Sequence, residues 1–244
     1  MQGLARKYDL IVLDFDGTLA DTRPAAAATF QAMFPGSVGE QASACILKAA
    51  CSGIPLRETL RSLAAELGMA LSEDRVETLA CDYRRLYPEF APQHSRPFPG
   101  AEDLVRQLSA AGFALAIASN KGEAAIGSFL LEYRLGDCFK VVLGDIPDRP
   151  RKPDRALLFD HVFPKIAGAD AARTLVVGDT ETDLAFAHNC GAASCWARFG
   201  YGDRDVCAAM RPAIVAESLA DLADLLLGRV GVGLGAGPAE AKRP

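Results

Sequence analysis

Short runs of apolar residues alternate along the chain with longer segments of mixed polarity. Each run is rich in Val, Ile and Leu and stops at a polar residue or a glycine. Strands buried on both faces of a parallel sheet read in this continuous way, and strands that alternate with helices are typical of α/β proteins. The sequence therefore predicts an α/β fold with strands at residues 8–14, 113–120, 139–145, 173–179 and 192–197, and a weaker strand at 213–216. The predicted helices between them cover residues 100–111, 122–131, 154–162, 181–189 and 218–227.

Residues 20–93 interrupt this alternation, since they contain no strand-like run and read as three or four helices. Apolar residues recur there at helical spacing, at Leu56, Leu60, Leu63, Ala64, Leu67, Val76, Leu79, Tyr83 and Leu86. A stiff, non-helical linker back to the sheet is predicted by four prolines, namely Pro88, Pro92, Pro97 and Pro99. We expect a sheet domain of residues 1–19 and 94–228, an inserted helical domain of residues 20–93, and a disordered tail at 229–244.

The composition narrows the class of protein. Of the 244 residues, 50% are hydrophobic, which is enough for a substantial core. The net charge of −5 leaves no basic face for nucleic-acid phosphates, so we expect no nucleic-acid partner. The longest apolar runs fall far short of the ~20 residues that span a bilayer, and no secretory signal is present, so we expect a cytoplasmic protein without membrane contact. Seven scattered cysteines without a CxxC pair favour reduced thiols.

Acidic residues follow the predicted strands at the edge of the sheet where α/β proteins bind ligands. Asp14 ends the first strand and Asp16 follows it, while Asp179 ends the fourth strand and Asp183 comes one helical turn later. Turn formation or helix capping explains any one of these residues alone. Several carboxylates in one crevice repel one another unless a cation neutralises them, and oxygen ligands without His or Cys favour Mg²⁺. The set as a whole predicts a magnesium site and phosphoryl chemistry.

Four short motifs occur in order along the chain. They are DFDGT at residues 14–18, SNK at 119–121, RKPD at 151–154 and GDTETD at 178–183. Together they resemble the motifs of the haloacid-dehalogenase-type phosphohydrolases, in particular the phosphoglycolate-phosphatase-like group. The resemblance implies a Rossmann-like parallel-sheet core with an inserted all-helical cap, and residues 20–93 stand in the place of that cap. Arg155 departs from the pattern, since a second proline often follows the third motif there.

The same resemblance implies a mechanism of phosphate-ester hydrolysis. Asp14 attacks phosphorus and forms an aspartyl-phosphate, and Asp16 gives a proton to the leaving alcohol and later takes one from water. Mg²⁺ is the implied cofactor, and a small phosphorylated molecule is the implied substrate. The implied metal ligands are Asp14, the backbone carbonyl of Asp16, Asp179 and Asp183. The groups available for the phosphoryl oxygens are Thr18, Ser119, the backbone near Asn120, and Lys152, which is also expected to be catalytic.

The predicted cap offers two candidate residues for binding the substrate. The stretch SGIPLRET at residues 52–59 resembles the family's cap loop that faces the active site. Arg57 in this loop is a candidate contact for a carboxylate or phosphate, and Arg23, shortly after the first motif, is a second candidate. Both also fit the role of an ordinary surface arginine. We expect the protein to be a monomer or a homodimer.

Other functions are open to the same sequence. A sugar-phosphate mutase of this fold would return the phosphoryl group to a sugar, and a regulatory protein would keep the scaffold without catalysis. The second alternative is disfavoured because every motif residue is present. A dehalogenase does not need the acid at Asp16, and an aspartate-phosphorylated receiver would lack the large helical insert. We therefore expect a phosphatase that acts on small phosphate monoesters.

Overall fold

A computed structural model of the chain describes residues 7–229. At its centre is a six-stranded sheet in which all neighbouring strands are parallel. In chain order, the strands are β1 (Leu10–Leu13), β2 (Ala20–Asp21), β3 (Arg96–Pro97), β4 (Ala114–Gly122), β5 (Val141–Asp145), β6 (Thr174–Gly178), β7 (Ala193–Ala197) and β8 (Ile214–Ala216). The order across the large sheet is β5-β4-β1-β6-β7-β8, while β2 and β3 pair with each other. The predicted α/β fold is confirmed, including the weak strand at its edge.

Helices cover both faces of the sheet and form the insert between β2 and β3. They are α1 (Arg23–Met33), α2 (Glu40–Ala50), α3 (Leu56–Glu66), α4 (Glu73–His94), α5 (Ala101–Ala110), α6 (Glu123–Glu132), α7 (Glu181–Cys190), α8 (Arg204–Ala209) and α9 (Leu219–Leu226). Short 3-10 turns lie at Gly136–Cys138, Phe163–Lys165 and Ala171–Arg173. Within residues 7–229, none of the helices is both long and apolar enough to cross a membrane.

β1 lies in the middle of the sheet and is buried on both faces because its side chains alternate between two apolar layers. Ile11 and Leu13 belong to the layer that contains α5, α6 and α9. Leu10 and Val12 belong to the opposite layer, together with α7 and the segment after the third motif. This burial on both faces explains why the strand reads as a continuous apolar run in the sequence.

The insert has an apolar cluster of its own, to which all four of its described helices contribute. The buried members are Ala26, Phe30, Phe34, Ile46, Leu60, Leu63, Leu79 and Ala80. The predicted linker is wrong at two positions, because α4 runs through Pro88 and Pro92 and ends at His94. Each proline removes one backbone hydrogen bond from the helix. The helix continues because Tyr87 is buried beside these prolines and α4 packs along α1.

A two-residue antiparallel ribbon closes the insert where it meets the sheet. Ala20 pairs with Pro97, and Asp21 pairs with Arg96. Strands this short leave no periodic pattern, which is why the sequence does not predict them. The ribbon lies beside the predicted boundaries at residues 20 and 93, and the division into core and cap stays a prediction. The predicted disordered tail, 229–244, lies outside the described residues except for Arg229.

The helix predicted at residues 154–162 differs from expectation in its first turn. Asp154 Oδ1 accepts a hydrogen bond from the Ala156 N–H at 2.9 Å, so these residues form a turn rather than helix. Regular structure begins only at a π-helical segment, Leu157–Val162. The predicted helix thus overlaps a helical segment, but neither its start nor its π-helical geometry was predicted.

Candidate active site

The carboxyl ends of neighbouring strands bring three of the predicted acidic residues together. β1 lies between β4 and β6 in parallel register. Asp14 directly follows β1, Asp179 directly follows β6, and Asp183 lies in the first turn of α7. One carboxylate oxygen from each of these residues lies within 4.8 Å of the other two. The fold therefore assembles the carboxylate cluster that the sequence predicts from residues far apart in the chain.

Burial makes it unfavourable for these carboxylates to ionise together. Asp14 is 7% exposed and Asp179 is fully buried. Burial raises the pKa of Asp14 to about 7, although the ammonium group of Lys152 acts in the opposite direction. Burial, together with the charges of Asp183 and Asp14, raises the pKa of Asp179 well above its ordinary value. The cluster thus holds more negative charge than its protein surroundings balance, and a further cation would relieve it.

Lys152 supplies positive charge within the cluster. Its Nζ donates to Asp14 Oδ1 at 2.6 Å and also to Asp183 Oδ1. Burial lowers the pKa of Lys152, but the two carboxylates outweigh this effect and hold the pKa above its ordinary value. Asn120 Oδ1 accepts from the Lys152 N–H at 3.1 Å and so fixes the backbone. Residues from all four motifs therefore meet at one edge of the sheet.

Asp183 combines two contacts. Its Oδ2 accepts from the backbone N–H and the hydroxyl of Thr180, at 3.0 and 2.9 Å, and thereby caps α7. Its Oδ1 accepts from Lys152 Nζ. Helix capping, which the sequence offers as the ordinary explanation for this residue, is present together with its position in the carboxylate cluster.

Asp16 lies apart from the clustered carboxylates, on the side of the insert. Its carboxylate accepts from the Thr22 hydroxyl at 2.5 Å and pairs with Lys121 Nζ at 3.1 Å. Lys121 Nζ also lies 4.2 Å from the ring centroid of Tyr87 in α4. In the sequence, Lys121 is only the third residue of the SNK motif, and no role was predicted for it. These contacts hold the Asp16 carboxylate at the wall of the space between the sheet and the insert.

The other candidate phosphate-binding residues are close to the cluster and have protein partners. Thr18 Oγ1 donates to Asp179 Oδ1 at 3.1 Å, so this hydroxyl orients a carboxylate. Ser119 is buried, and its Oγ accepts from a backbone N–H two residues later at 3.3 Å. Asn120 Nδ2 donates to the carbonyl of Gly53 in the insert at 3.1 Å. Phosphate binding by these residues stays a prediction.

The two candidate arginines, Arg57 and Arg23, each lie near a carboxylate of the protein. Arg57 pairs with Glu77 within the insert at 2.7 Å. The guanidinium of Arg23 lies 5.2 Å from the ring centroid of Tyr201 and 3.8 Å from a carboxylate oxygen of Asp21. Neither arginine is among the described residues that line the cavity in front of Asp14. Their assignment as substrate contacts stays a prediction.

Tyr201, which follows β7 between two glycines, contacts Asp179 and was not predicted as a site residue. The Tyr201 N–H donates to Asp179 Oδ2 at 2.7 Å, and the Tyr201 hydroxyl donates to Asp21 at 2.6 Å. A Cβ on Gly200 or Gly202 would lie 2.2 or 2.1 Å from the nearest atom of Asp179. The glycine pair was the available signal, since close backbone approach requires residues without a side chain.

Gly17 is packed against the same carboxylate from the first motif. Its φ is +78°, and a Cβ there would lie 2.1 Å from Asp179 Oδ2. This position therefore combines a tight turn, which the positive φ allows, with a close approach to Asp179.

The donor set fits a magnesium ion. The three clustered carboxylates each offer an oxygen ligand, and neither histidine nor cysteine belongs to this group. Mg²⁺ prefers such hard oxygen donors and usually takes only one or two carboxylates, completing its shell with water and phosphate oxygens. The raised pKa values of Asp14 and Asp179 also indicate a site that gains stability from added positive charge.

Comparison with known proteins gives consistent matches over most of the chain. The profile of the haloacid dehalogenase-like hydrolases matches residues 11–197. A phosphoglycolate phosphatase from Vibrio vulnificus (strain CMCP6) is 29% identical over 231 residues, which cover 91% of this chain and 97% of that protein. A phosphoglycolate phosphatase from Mesorhizobium japonicum is 32% identical over 211 residues, which cover 81% and 86% of the two chains.

Solved structures agree with the fold. The crystal structure of a predicted phosphoglycolate phosphatase from Haemophilus somnus 129pt superposes with a TM-score of 0.80 at 23% identity, covering 93% of this chain and all of that one. A hydrolase from Pseudomonas syringae gives a TM-score of 0.74 at 24% identity, covering 91% and 100% of the two chains. The fold and the site thus define an α/β protein with a carboxylate cluster at the carboxyl edge of its parallel sheet. The chain belongs to the haloacid dehalogenase-like hydrolase family, which confirms the resemblance carried by its four motifs.

Proposed function

We propose that the protein is a magnesium-dependent phosphatase that hydrolyses small-molecule phosphate monoesters through an aspartyl-phosphate. The observation that carries this proposal is the 2.6 Å contact of Lys152 Nζ with Asp14 inside the cluster of three carboxylates. Membership of a hydrolase family and relatives named phosphoglycolate phosphatase also support it. Asp16, held separately from the cluster, is available for proton transfer.

Asp14 is the proposed nucleophile. Its carboxylate oxygen attacks phosphorus, the bond between phosphorus and the alcohol oxygen breaks, and an aspartyl-phosphate forms. Asp16 donates a proton to the departing alcohol oxygen. Water then attacks the aspartyl-phosphate while Asp16 takes a proton from it, so that inorganic phosphate leaves and Asp14 is restored. The hydrogen bond from Thr22 keeps the Asp16 carboxylate in one orientation for both proton transfers.

Lys152 is proposed to stabilise the phosphoryl group during transfer. Its ammonium group already contacts the nucleophile, so an incoming phosphoryl group bound to Asp14 would lie within its reach. Ser119 and the backbone near Asn120 are proposed as further donors, because both residues are buried beside this lysine. Fixed donors around the three phosphoryl oxygens stabilise the charge that spreads over them in the transition state.

Asp14, Asp179 and Asp183 are the residues that would hold Mg²⁺, together with the backbone carbonyl of Asp16. When bound, the ion supplies charge neutralisation between the carboxylates and the anionic ester. Thr18 and Tyr201 hold the Asp179 carboxylate for this role, since each donates a hydrogen bond to one of its oxygens.

The helical insert is proposed to act as a cap over the site. Asn120 at the sheet edge bonds to Gly53 in the insert, and Arg84 of α4 lies 3.6 Å from Asp145 at the end of β5. Such a cover excludes water and contacts the alcohol part of the substrate. Cytoplasmic residence as a monomer or homodimer is part of the same proposal, and the seven free cysteines suit a reducing compartment.

Phosphate release from generic esters tests the proposal. We expect the purified protein to release phosphate from para-nitrophenyl phosphate only when Mg²⁺ is present. Asp14→Asn should lower turnover by at least about a thousandfold, the scale on which a covalent nucleophile acts. Asp137→Asn, at an exposed aspartate in a 3-10 turn, is the matched control and should keep full activity. Wild-type turnover in Asp14→Asn would contradict the covalent mechanism, and transfer to a sugar without phosphate release would indicate a mutase.

A further inference from the structure

A cavity of about 600 Å³ lies in front of Asp14 and Asp16, between the sheet edge and the insert. Cavities of roughly 300–1,000 Å³ commonly enclose drug-sized ligands, so this one is much larger than a two-carbon phospho-acid requires. Small side chains create the room on both sides. Among them are Ala26, Ala49, Ala50 and Ala91 from the insert and Ala124 and Ala125 from α6.

Aromatic rings form the insert side of this cavity. Phe30 and Tyr83 have ring centroids 5.0 Å apart, and Tyr83 stacks on Tyr87 at 5.5 Å with an interplanar angle of 27°. Phe129 of α6 lines the cavity from the sheet side. Stacked rings and aliphatic side chains favour an apolar or aromatic partner over a hydrated anion.

The cavity is not large because the insert stands away from the sheet. The insert contacts the sheet edge in three places. The carbonyl of Gly53 accepts from Asn120, and Tyr87 lies over the ammonium group of Lys121. Arg84 lies close to Asp145 on another side of the opening. The cavity is large although these contacts are formed. Its volume is therefore set by the small side chains that line it.

The charged residues that line the cavity do not favour an alcohol part that carries a carboxylate. Among the lining residues within the described range 7–229, the cations are Arg84 and Lys121. Each is already paired with a carboxylate, Arg84 with Asp145 at 3.6 Å and Lys121 with Asp16 at 3.1 Å. Glu123 adds a further carboxylate to the lining. A substrate carboxylate would therefore enter an apolar, acid-bordered space in which both cations already have carboxylate partners.

We infer that the alcohol part of the substrate is extended, uncharged and apolar, and that 2-phosphoglycolate is a poor substrate. This inference rests on the proposed phosphatase function and adds the substrate class to it. The phosphoryl group lies at Asp14 and Lys152, while the alcohol part extends past Asp16 along Tyr83 and Tyr87. The chemistry lies at the sheet edge, and the cavity wall selects the alcohol part.

A panel of alkyl phosphates tests the inference, because alkyl leaving groups of similar reactivity make the comparison report on binding. The panel contains 2-phosphoglycolate, ethyl phosphate, benzyl phosphate, phenylpropyl phosphate and para-carboxybenzyl phosphate. We expect kcat/KM with Mg²⁺ to be roughly tenfold or more higher for benzyl and phenylpropyl phosphate than for ethyl phosphate, the scale on which apolar pockets discriminate. The carboxybenzyl ester and 2-phosphoglycolate should both be hydrolysed less efficiently than benzyl phosphate.

A cavity-filling variant tests the location of the alcohol part. Ala125→Phe should lower kcat/KM for phenylpropyl phosphate at least tenfold more than for ethyl phosphate, because the added ring takes the space of the alcohol. Ala110→Phe, at an exposed alanine that ends α5 and does not line the cavity, is the matched control and should leave the ratio unchanged. An unchanged ratio in Ala125→Phe would contradict the placement.

Two results separate failure of the inference from failure of the proposed function. Efficient hydrolysis of 2-phosphoglycolate with weak hydrolysis of benzyl phosphate would overturn the inference and leave the phosphatase function in place. If no ester is hydrolysed, the phosphatase function fails, and calorimetry with benzylphosphonate and phosphonoacetate still reports on the cavity. Tighter binding of benzylphosphonate would then support an apolar ligand site, and tighter binding of phosphonoacetate would overturn it.

Discussion

The sheet edge and the insert wall face each other across one cavity, and they differ in how they are built. At the sheet edge, Lys152 and three buried carboxylates contact one another directly. On the insert wall, Phe30, Tyr83 and Tyr87 are held by stacking and apolar packing. A charged site depends on the position of each atom, whereas an apolar wall tolerates changes of shape. We therefore assign the chemistry to the edge and the choice of substrate to the wall.

After Asp14→Asn, the largest expected effect at the edge is that of Lys152→Met. This variant removes the buried ammonium group that contacts Asp14 and Asp183, and with it the charged member of the proposed donors to the phosphoryl oxygens. We expect kcat to fall by about a hundredfold to a thousandfold. The fall should be similar for benzyl phosphate and ethyl phosphate in steady-state assays, because the lysine acts on the group that all esters share.

Lys140→Met is the control for this charge change, since Lys140 is exposed at the sheet periphery. It should keep wild-type kcat. A Lys152→Met enzyme that loses activity toward one ester only would contradict the division between edge and wall.

A smaller effect is expected for Gly17→Ala. The new Cβ would lie 2.1 Å from Asp179 Oδ2 and would displace this carboxylate. Displacements of about 1 Å in a catalytic site can reduce turnover up to roughly a hundredfold, so we expect a fall of about tenfold to a hundredfold. Gly68→Ala is the matched control, because Gly68 has a similar φ of +74° and nothing within 4 Å of its Cβ position. Equal activity of the two variants would contradict the effect that we assign to the displaced Asp179 carboxylate.

The smallest effect is expected for Asp179→Asn, and it is a change in the melting temperature. Asp179→Asn keeps both hydrogen bonds of the side chain, since the amide oxygen can accept from the Tyr201 N–H and the amide nitrogen can donate to Thr18. It also removes one buried negative charge from the cluster. Without metal at pH 8, the melting temperature should rise by roughly 2–4 °C, the shift that about 1 kcal/mol causes in a chain of this size.

Asp179→Asn removes both a buried negative charge and a proposed metal ligand. Added Mg²⁺ distinguishes the effects of these two losses on stability. The wild-type protein should be stabilised by the ion, because a ligand that binds only the folded state raises the melting temperature. Asp179→Asn should show a clearly smaller rise under the same conditions. An equal rise in both proteins, measured by differential scanning fluorimetry, would exclude Asp179 from the metal site.

The sheet edge was easier to predict from the sequence than the insert wall. Polar residues after apolar strands, such as Asp14 and Asp179, stand out against their surroundings, and parallel strands bring their ends to one edge. Helical periodicity likewise predicted the insert. Strand ends and motifs therefore identified most of the polar site before its geometry was known.

Features that depend on packing were harder to predict. Pro88 and Pro92 are helix-breaking residues on their own, and only the packing of α4 against α1 explains why the helix continues. The partner of Lys121 is Asp16, a residue more than a hundred positions away. The aromatic wall was also not predicted, because Tyr83 reads in the sequence simply as one more apolar position of a helix.

In the proposed mechanism, Asp14 carries the phosphoryl group during turnover. Asp16→Asn should allow this group to accumulate, because para-nitrophenolate leaves without a proton while water can no longer be activated. We propose to quench this variant in acid during turnover of para-nitrophenyl phosphate with Mg²⁺ and to map the modification by peptide mass spectrometry. We expect one phosphoryl group on the peptide that contains Asp14, and none when Asp14→Asn is added. A phosphoryl group on another residue, or its absence during measurable turnover, would show that Asp14 is not the nucleophile.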